Sequence, residues 1–269
     1  MKKTWIMVVV ALMMLALAGN FAMAEGTLRV GMECDYMPFN WTQAEAGEHT
    51  VALSGGGYAD GYDVRMAQLI ADGLEMELQI VKTAWDGLPM GVMSGNFDLI
   101  IAGMSPTEER KVSIDFTEPY YTSDLVIVVK KEGAYADATS LADFAGAKIT
   151  AQLNTVHYTM INQIAGVEKL TAMETFPAMS VALQAGAIDG YVSERPTAVM
   201  EQVSNPALTF VSFDEANGFD VLPEDVMISI GLVKGSALKE PINAILAEIT
   251  QQQRDEIMAA VVEANPLRG

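Results

Sequence analysis

Short apolar runs alternate along this chain with longer segments in which apolar residues recur every three or four positions. The first pattern is typical of buried β-strands and the second of amphipathic helices. The runs predict strands at 28–32, 78–81, 99–101, 125–130, 148–151, 190–192, 208–213 and 226–233. The periodic segments predict helices at 63–74, 85–93, 156–164, 178–184 and 197–203, and a helical pair within 238–264. This alternation indicates the α/β class, with sheets flanked by helices.

Two stretches interrupt the alternation. Segment 115–123 separates a first strand–helix series from a second one, which suggests two lobes joined there. The strand predicted at 226–233 would carry the chain back to the first lobe. Segment 42–61 is polar and glycine-rich, so it predicts a surface excursion, to which the sequence assigns no role.

The N-terminus has the pattern of a secretory signal peptide. Two lysines precede an apolar run over 5–18 that is short for a membrane span, and AMA at 22–24 is a small-x-small cleavage site. We expect cleavage after Ala24, which removes 1–24, and export to a periplasm. An uncleaved membrane anchor is the alternative. The cleavage region has no cysteine that could carry a lipid.

Charge and cysteine content exclude several function classes. The formal net charge is −19, and it becomes −21 once the two lysines of the leader are lost. Nucleic-acid binding needs a basic surface instead, and an anionic membrane is equally disfavoured as a partner. The single cysteine, Cys34, cannot form an internal disulfide, and His49 and His157 lack the spacing of a metal site. We therefore expect no metal and no cofactor.

The stretch LIIAGMSPTEER, residues 99–110, carries candidate binding chemistry. A buried strand is followed by Gly103, which allows close approach to the backbone, and by the hydroxyl of Ser105. Arg110 adds a planar fork of donors that matches a carboxylate. These features predict a grip for a small carboxylic acid. The alternative is a solvated loop whose arginine makes a surface ion pair.

Six segments in this order resemble the amino-acid-binding proteins of ABC importers, known as solute-binding protein family 3. They are RVGMECDYMPFNW (29–41), GYDVRMAQLIA (61–71), WDGLPMGVMSGNFDLIIAGMSPTEER (85–110), DFTEPYYTS (115–123), GAKITAQLNT (146–155) and AIDGYVSERPTA (187–198). The resemblance implies a two-lobed α/β fold of the periplasmic-binding-protein type II class, joined by a two-segment hinge. It places the first lobe at 25–121 plus 229–269 and the second, with the hinge crossings, at 122–228.

The same resemblance implies how an amino acid is held. Arg110 would bind its α-carboxylate together with the N–H groups of Ser105 and Thr155. Glu194 would bind its α-ammonium, helped by the Gly103 carbonyl and the Ser105 hydroxyl. The sequence leaves other roles open for Glu194, because the adjacent arginine could neutralise it or it could cap the helix that follows. Where the family usually has glycine before Thr155, this chain has Asn154, which tolerates positive φ.

More variable positions would contact the side chain of the ligand. The candidates are Tyr36, Trp85, Glu33, Gln152 and His157, with Phe39 and Trp41 lining or roofing the pocket. For Trp85, core packing is the alternative. An acid beside aromatic rings favours a cationic or polar amino acid, although an aromatic or glutamine-like ligand could use the same faces. Asp63 is interpreted as a helix-start residue without ligand contact.

The resulting hypothesis is a non-enzymatic, monomeric binder that closes over a free amino acid and delivers it to an ABC permease of the inner membrane. No catalytic residue is assigned. One alternative is an exported enzyme resembling cyclohexadienyl dehydratase, with Glu33 or His157 transferring a proton. Another is a ligand-binding module of a chemoreceptor or kinase. The fold alone does not separate these functions.

Overall fold

The structure is a computed structural model, and it describes residues 26–264 and 266. The predicted signal peptide, 1–24, lies outside the described residues. Within the part of the chain that is described, no helix is long and apolar enough to cross a membrane.

The strands lie where the apolar runs predict them, together with several shorter ones that the pattern does not reveal. In chain order they are β1 Thr27–Met32, β2 Asp35–Tyr36, β3 Asn40–Gln43, β4 Val51–Ala52, β5 Tyr58–Asp60, β6 Glu77–Lys82, β7 Leu99–Ile100, β8 Ile114–Thr122, β9 Leu125–Lys130, β10 Lys148–Thr150, β11 Glu168–Lys169, β12 Gly190–Glu194, β13 Leu208–Val211 and β14 Met227–Val233.

The predicted helices also form. The α-helices are α1 Tyr62–Gly73, α2 Leu88–Met93, α3 Glu108–Lys111, α4 Val156–Met160, α5 Phe176–Ala185, α6 Arg195–Ser204, α7 Pro223–Val226, α8 Lys239–Glu248 and α9 Gln251–Glu263. Short 3-10 turns cover Trp85–Gly87, Leu141–Phe144 and Ile161–Gln163. Pro89 occupies the first turn of α2, where its missing N–H costs no hydrogen bond.

The strands form two large sheets, one in each lobe. The first has the order β6-β1-β7-β14-β8, and the second has the order β11-β10-β12-β9-β13. In each sheet the first three strands of the order pair in parallel, namely β6-β1-β7 and β11-β10-β12. The returning strands β14 and β9 pair antiparallel with their neighbours. Parallel strands need helical crossovers, which cover the sheet faces and bury the apolar runs.

The chain crosses between the two sheets twice, and the crossings lie side by side. β8 ends at Thr122, while α7 leads directly into β14 at Met227, and these two residues pair. The N–H of Ser123 donates to the carbonyl of Val226 at 3.0 Å. This pair of hydrogen-bonded crossings forms the two-segment hinge.

Two predictions about irregular segments are incomplete. Segment 115–123 is not only a joint, because most of it belongs to β8, the edge strand of the first sheet. Segment 42–61 is not a plain excursion, because it contributes to a third, antiparallel sheet of order β2-β3-β5-β4. Trp41 on β3 is buried there and pairs with Asp60 on β5. Such short strands leave no clear alternation in the sequence.

The apolar core does not divide between the lobes as the sheets do. One buried cluster fills the first lobe and continues across the cleft, where Phe176 stacks on Tyr36 with ring centroids 4.4 Å apart. A second cluster lies within the second lobe around Ile127, Phe144 and Ile149. The two lobes are therefore in direct contact on either side of the candidate site.

Candidate functional site

The arginine turn, residues 101–110, follows β7 at the cleft side of the first lobe. Gly103 has a φ of +65°, and a Cβ at this position would lie 2.7 Å from Cε1 of Tyr36. Both the backbone angle and the close approach therefore require glycine. Thr107 caps α3, with its Oγ1 accepting from the N–H of Arg110 at 3.3 Å. This cap fixes the direction in which the arginine side chain leaves the backbone.

Arg110 reaches from the first lobe to the second. Its Nη1 donates to the carbonyl of Ser105 at 2.9 Å, and its Nη2 donates to the carbonyl of Asn154 at 2.9 Å. The guanidinium lies over the ring of Trp85, 5.1 Å from its centroid. Among the described residues, no carboxylate lies within ion-pair distance of it, so the surface ion pair is not what forms. Burial lowers the pKa of Arg110 to about 10, which leaves it charged at neutral pH.

Glu194 is the last residue of β12, and its side chain is 4% exposed. It stands at the N-cap position of α6 but makes no capping hydrogen bond. The neighbouring Arg195 pairs with Asp124 at 2.9 Å instead. Neither structural alternative for Glu194 is therefore realised. Its Oε1 lies 3.4 Å from Nε2 of His157, and its buried Oε2 makes no hydrogen bond to any described residue.

The turn before α4 supplies the backbone groups with which the second lobe faces the site. Asn154 has a φ of +56°, so the expected positive angle at this position is confirmed. Thr155 caps α4 by accepting from the N–H of Tyr158 at 3.3 Å, and its hydroxyl donates to the carbonyl of Gln152 at 2.6 Å. The side chain of Asn154 donates to Asp86 at 2.9 Å, which adds another contact between the lobes.

These elements surround a cavity of about 20 Å³ between the lobes, which we call the small cavity. It brings together nine of the ten residues that the sequence suggests as ligand contacts, and adds Val156. Phe39 and Trp41 are not part of its lining. Its lining consists of Tyr36, Trp85, Gly103, Ser105, Arg110, Gln152, Thr155, Val156, His157 and Glu194. A cationic guanidinium and an unsatisfied carboxylate oxygen therefore share one small space.

Glu33 is the predicted site residue that does not line the small cavity. It is 4% exposed, and both of its carboxylate oxygens accept from Nε2 of Gln152, at 2.9 and 3.1 Å. Gln152 belongs to the second lobe, so this contact also joins the lobes. Burial raises the pKa of Glu33 to about 7, because no cation compensates fully for its desolvation.

A wider groove of about 630 Å³ adjoins the small cavity and shares Trp85, Arg110 and Thr155 with it. Apolar side chains such as Met104 and Met160 line it together with polar ones. Arg110 thus lines both the small cavity and the groove, so both spaces reach the same cation.

Asp63 is a residue whose role the sequence analysis missed. It lies in the first turn of α1, as predicted, but makes no cap there, since Gly61 is the N-cap. Its buried carboxylate accepts from Nδ2 of Asn40 at 2.7 Å and from the hydroxyl of Tyr120 at 2.6 Å. That hydroxyl in turn accepts from the N–H of Gly103 at 3.2 Å. Asp63 therefore supports the arginine turn from behind.

The buried carboxyl of Glu33 predicts a pH-dependent stability. Its pKa rises from 4.5 to about 7 in the folded protein, so the folded state binds more protons between these values. The free energy of unfolding should then fall as the pH rises from about 5 to about 8, with Glu33 contributing up to about 3 kcal/mol. In Glu33→Gln this fall should be smaller, as measured by urea unfolding across that range.

Glu77 is the matched control, because it is an exposed glutamate on β6 of the same lobe. Glu77→Gln should keep the pH profile of the unsubstituted protein. Some pH dependence should also remain in Glu33→Gln, since burial raises the pKa of Asp63 to about 7 in the same direction. An unchanged profile in Glu33→Gln would show that the carboxyl ionises normally.

Comparison with known proteins identifies the family to which this chain belongs. The family described as bacterial extracellular solute-binding proteins, family 3, matches residues 28–260. A probable histidine-binding protein of Campylobacter jejuni is 32% identical over 206 residues, which cover 75% of this chain and 74% of that protein. The arginine-binding extracellular protein ArtP of Bacillus subtilis is 27% identical over 259 residues, covering 93% of each chain.

Solved structures agree with the fold. A crystal structure of AbpA, an amino acid ABC transporter substrate-binding protein of Streptococcus pneumoniae bound to L-arginine, has a TM-score of 0.74 and 25% identity. The match covers 89% of this chain and 96% of that one. An ancestral arginine-binding protein bound to glutamine has a TM-score of 0.71 and 28% identity, over 90% of this chain and 99% of the other.

Proposed function

Since the chain belongs to the bacterial extracellular solute-binding proteins of family 3, we propose that it binds a free amino acid between its two lobes and delivers it to an ABC permease. One observation carries this proposal. Arg110 from the first lobe and Glu194 from the second line the same small cavity, the first without a carboxylate partner among the described residues and the second with an unsatisfied oxygen.

The two charges match the two ends of an amino-acid zwitterion. The guanidinium would bind the α-carboxylate through two parallel hydrogen bonds, once its present bonds to backbone carbonyls are exchanged. The backbone N–H groups of Ser105 and Thr155 would share that carboxylate. Oε2 of Glu194 would accept from the α-ammonium together with the carbonyl of Gly103. The hydroxyl of Ser105 already donates to the carbonyl of Asp225, at 3.1 Å, so it retains lone pairs for the same ammonium.

Ligand binding would then be coupled to closure of the lobes. The small cavity, at about 20 Å³, has room for little more than one water molecule. An amino acid is larger, so its entry requires the lobes to separate about the hinge. A ligand that contacts Arg110 and Glu194 together favours the closed form, because it gains both interactions only there.

A cationic or polar side chain fits the remaining surroundings. Tyr36 offers its hydroxyl, which makes no hydrogen bond to any described residue, while its ring stacks on Phe176 and Phe39 at 4.4 and 5.0 Å. Glu33 offers carboxylate oxygens that already accept from an amide. The relatives include a probable histidine-binding protein, an arginine-binding protein and L-cystine-binding proteins, and these names support a cationic or polar ligand. The proposal includes a monomeric protein in the periplasm, released by cleavage after Ala24, and assigns no catalytic role.

A thermal-shift screen tests the proposal. The chain from residue 25 onward is unfolded and refolded to remove any carried-over ligand, and then heated with each proteinogenic amino acid and L-cystine in turn. A ligand that binds the folded state raises the melting temperature by mass action. At a ligand concentration of about a hundred times Kd, the free energy of unfolding rises by about 3 kcal/mol. Absence of a shift with every amino acid would overturn the proposal.

A further inference from the structure

Glu194 has a basic neighbour inside the protein, which is His157. Nε2 of His157 lies 3.4 Å from Oε1 of Glu194, and both residues are buried, with 7% and 4% of their surface exposed. Nδ1 of the imidazole makes no hydrogen bond to any described residue. The imidazole can therefore neutralise the buried carboxylate when it carries a proton, and it also lines the small cavity.

Among the described residues, no other cationic side chain pairs with Glu194. Arg195 is directed to Asp124, and Arg110 to backbone carbonyls. The ring of Phe176 meets the imidazole edge-on, at 6.2 Å. The titratable and charged groups on the elements around His157 are Glu194 and Tyr191 of β12, Tyr36 of β2, Arg110 of the arginine turn, Glu33 beyond Gln152, and Tyr158 of α4 with Lys169 over its ring.

We propose that His157 is a positioning residue whose proton is the counter-charge of Glu194 in the open site and is released when the ligand's ammonium arrives. The inference rests on the proposed function, because it requires an ammonium at Glu194. One carboxylate then faces two cations, at Oε1 and at Oε2. Repulsion between them disfavours the protonated imidazole, so the bound protein holds fewer protons than the free protein.

The direction of the pH dependence follows from this difference. Because binding releases a proton, affinity increases as the pH rises through the range in which imidazoles titrate, about pH 5 to 8. The association constant can rise by at most about tenfold per pH unit, which is the slope for release of one whole proton. Glu33 and Asp63 also ionise within this range, each with a pKa of about 7, so their contributions must be separated by experiment.

Proton release is measured by titration calorimetry at about pH 6.5 in two buffers of different ionisation enthalpy. The probe is the amino acid that gives the largest thermal shift. The unsubstituted protein should release a fraction of a proton per ligand, and His157→Gln should release much less while still binding. The loss of release on His157→Gln should also be seen in a Glu33→Gln background, in which Glu33 no longer titrates. Equal release from His157→Gln and the unsubstituted protein would overturn the inference.

The unsubstituted protein gives a second readout that needs no variant. The chain has two histidines, and His49 is exposed, so its ring resonances serve as an internal reference. Saturating ligand at about pH 6.5 should move the His157 ring resonances towards the neutral form and leave those of His49 in place. Unchanged His157 resonances in a protein that binds its ligand would overturn the inference but not the proposed function. If no amino acid binds, the proposed function is wrong and this inference fails with it.

Discussion

Arg110→Met is expected to weaken amino-acid binding by about 30-fold or more, because it removes the cation that would hold the α-carboxylate. Loss of one partner from a buried, hydrogen-bonded charge pair costs about 2–5 kcal/mol, and about 2 kcal/mol corresponds to a change of about 30-fold in Kd. Methionine keeps an apolar stem over Trp85, so packing should be largely retained. Calorimetric titration of the refolded protein measures the change.

The neighbouring residue supplies the control for this substitution. Lys111 lies on the same short helix, α3, and forms a surface ion pair with Glu108 at 2.9 Å. Lys111→Met changes the net charge equally but should leave Kd within about twofold, because surface ion pairs contribute little. Arg110→Lys should recover only part of the affinity, since an ammonium lacks the planar fork. Similar affinities for Arg110→Met and Lys111→Met would contradict the assignment of the carboxylate to Arg110.

Local sequence patterns identified the parts of the site that depend on local backbone geometry. The β-branched run at 125–130 predicts β9 without error, since such residues pack well on both faces of a covered sheet. Gly103 was expected to allow close approach, and it does so against Tyr36. Asn154 was expected to tolerate a positive φ, and it adopts one. In each case a residue's own conformational preference carries the information.

Contacts between distant segments could not be predicted in this way. Glu33 and Gln152 are 119 residues apart, and only the closed arrangement of the lobes joins them. The sequence therefore suggests Glu33 as a direct ligand contact but gives no sign of its hydrogen bond to Gln152. Asp63 was interpreted as a helix-start residue because its position at the start of α1 is all that the periodicity reveals. Its partner Tyr120 lies 57 residues away.

Asp63→Ala is expected to lower the free energy of unfolding by about 3 kcal/mol or more. The substitution leaves the hydroxyl of Tyr120 and Nδ2 of Asn40 without their acceptor, and each unsatisfied buried group costs about 1–3 kcal/mol. Alanine is also smaller than aspartate, so the substitution leaves an empty space among fully buried side chains. Urea unfolding at neutral pH measures the loss.

Asp72 on the same helix is the matched control, because it is exposed and its carboxylate accepts from the side chain of Gln68 at 2.8 Å. Asp72→Ala should change stability by no more than about 0.5 kcal/mol. Asp63→Ala should also weaken ligand binding, since the freed Tyr120 hydroxyl no longer fixes the N–H of Gly103 and the arginine turn loses its support. Equal stabilities for the two variants would mean that the Asn40–Asp63–Tyr120 network does not hold the turn. In that case the backbone angle of Gly103 and the cap at Thr107 would have to position Arg110 by themselves.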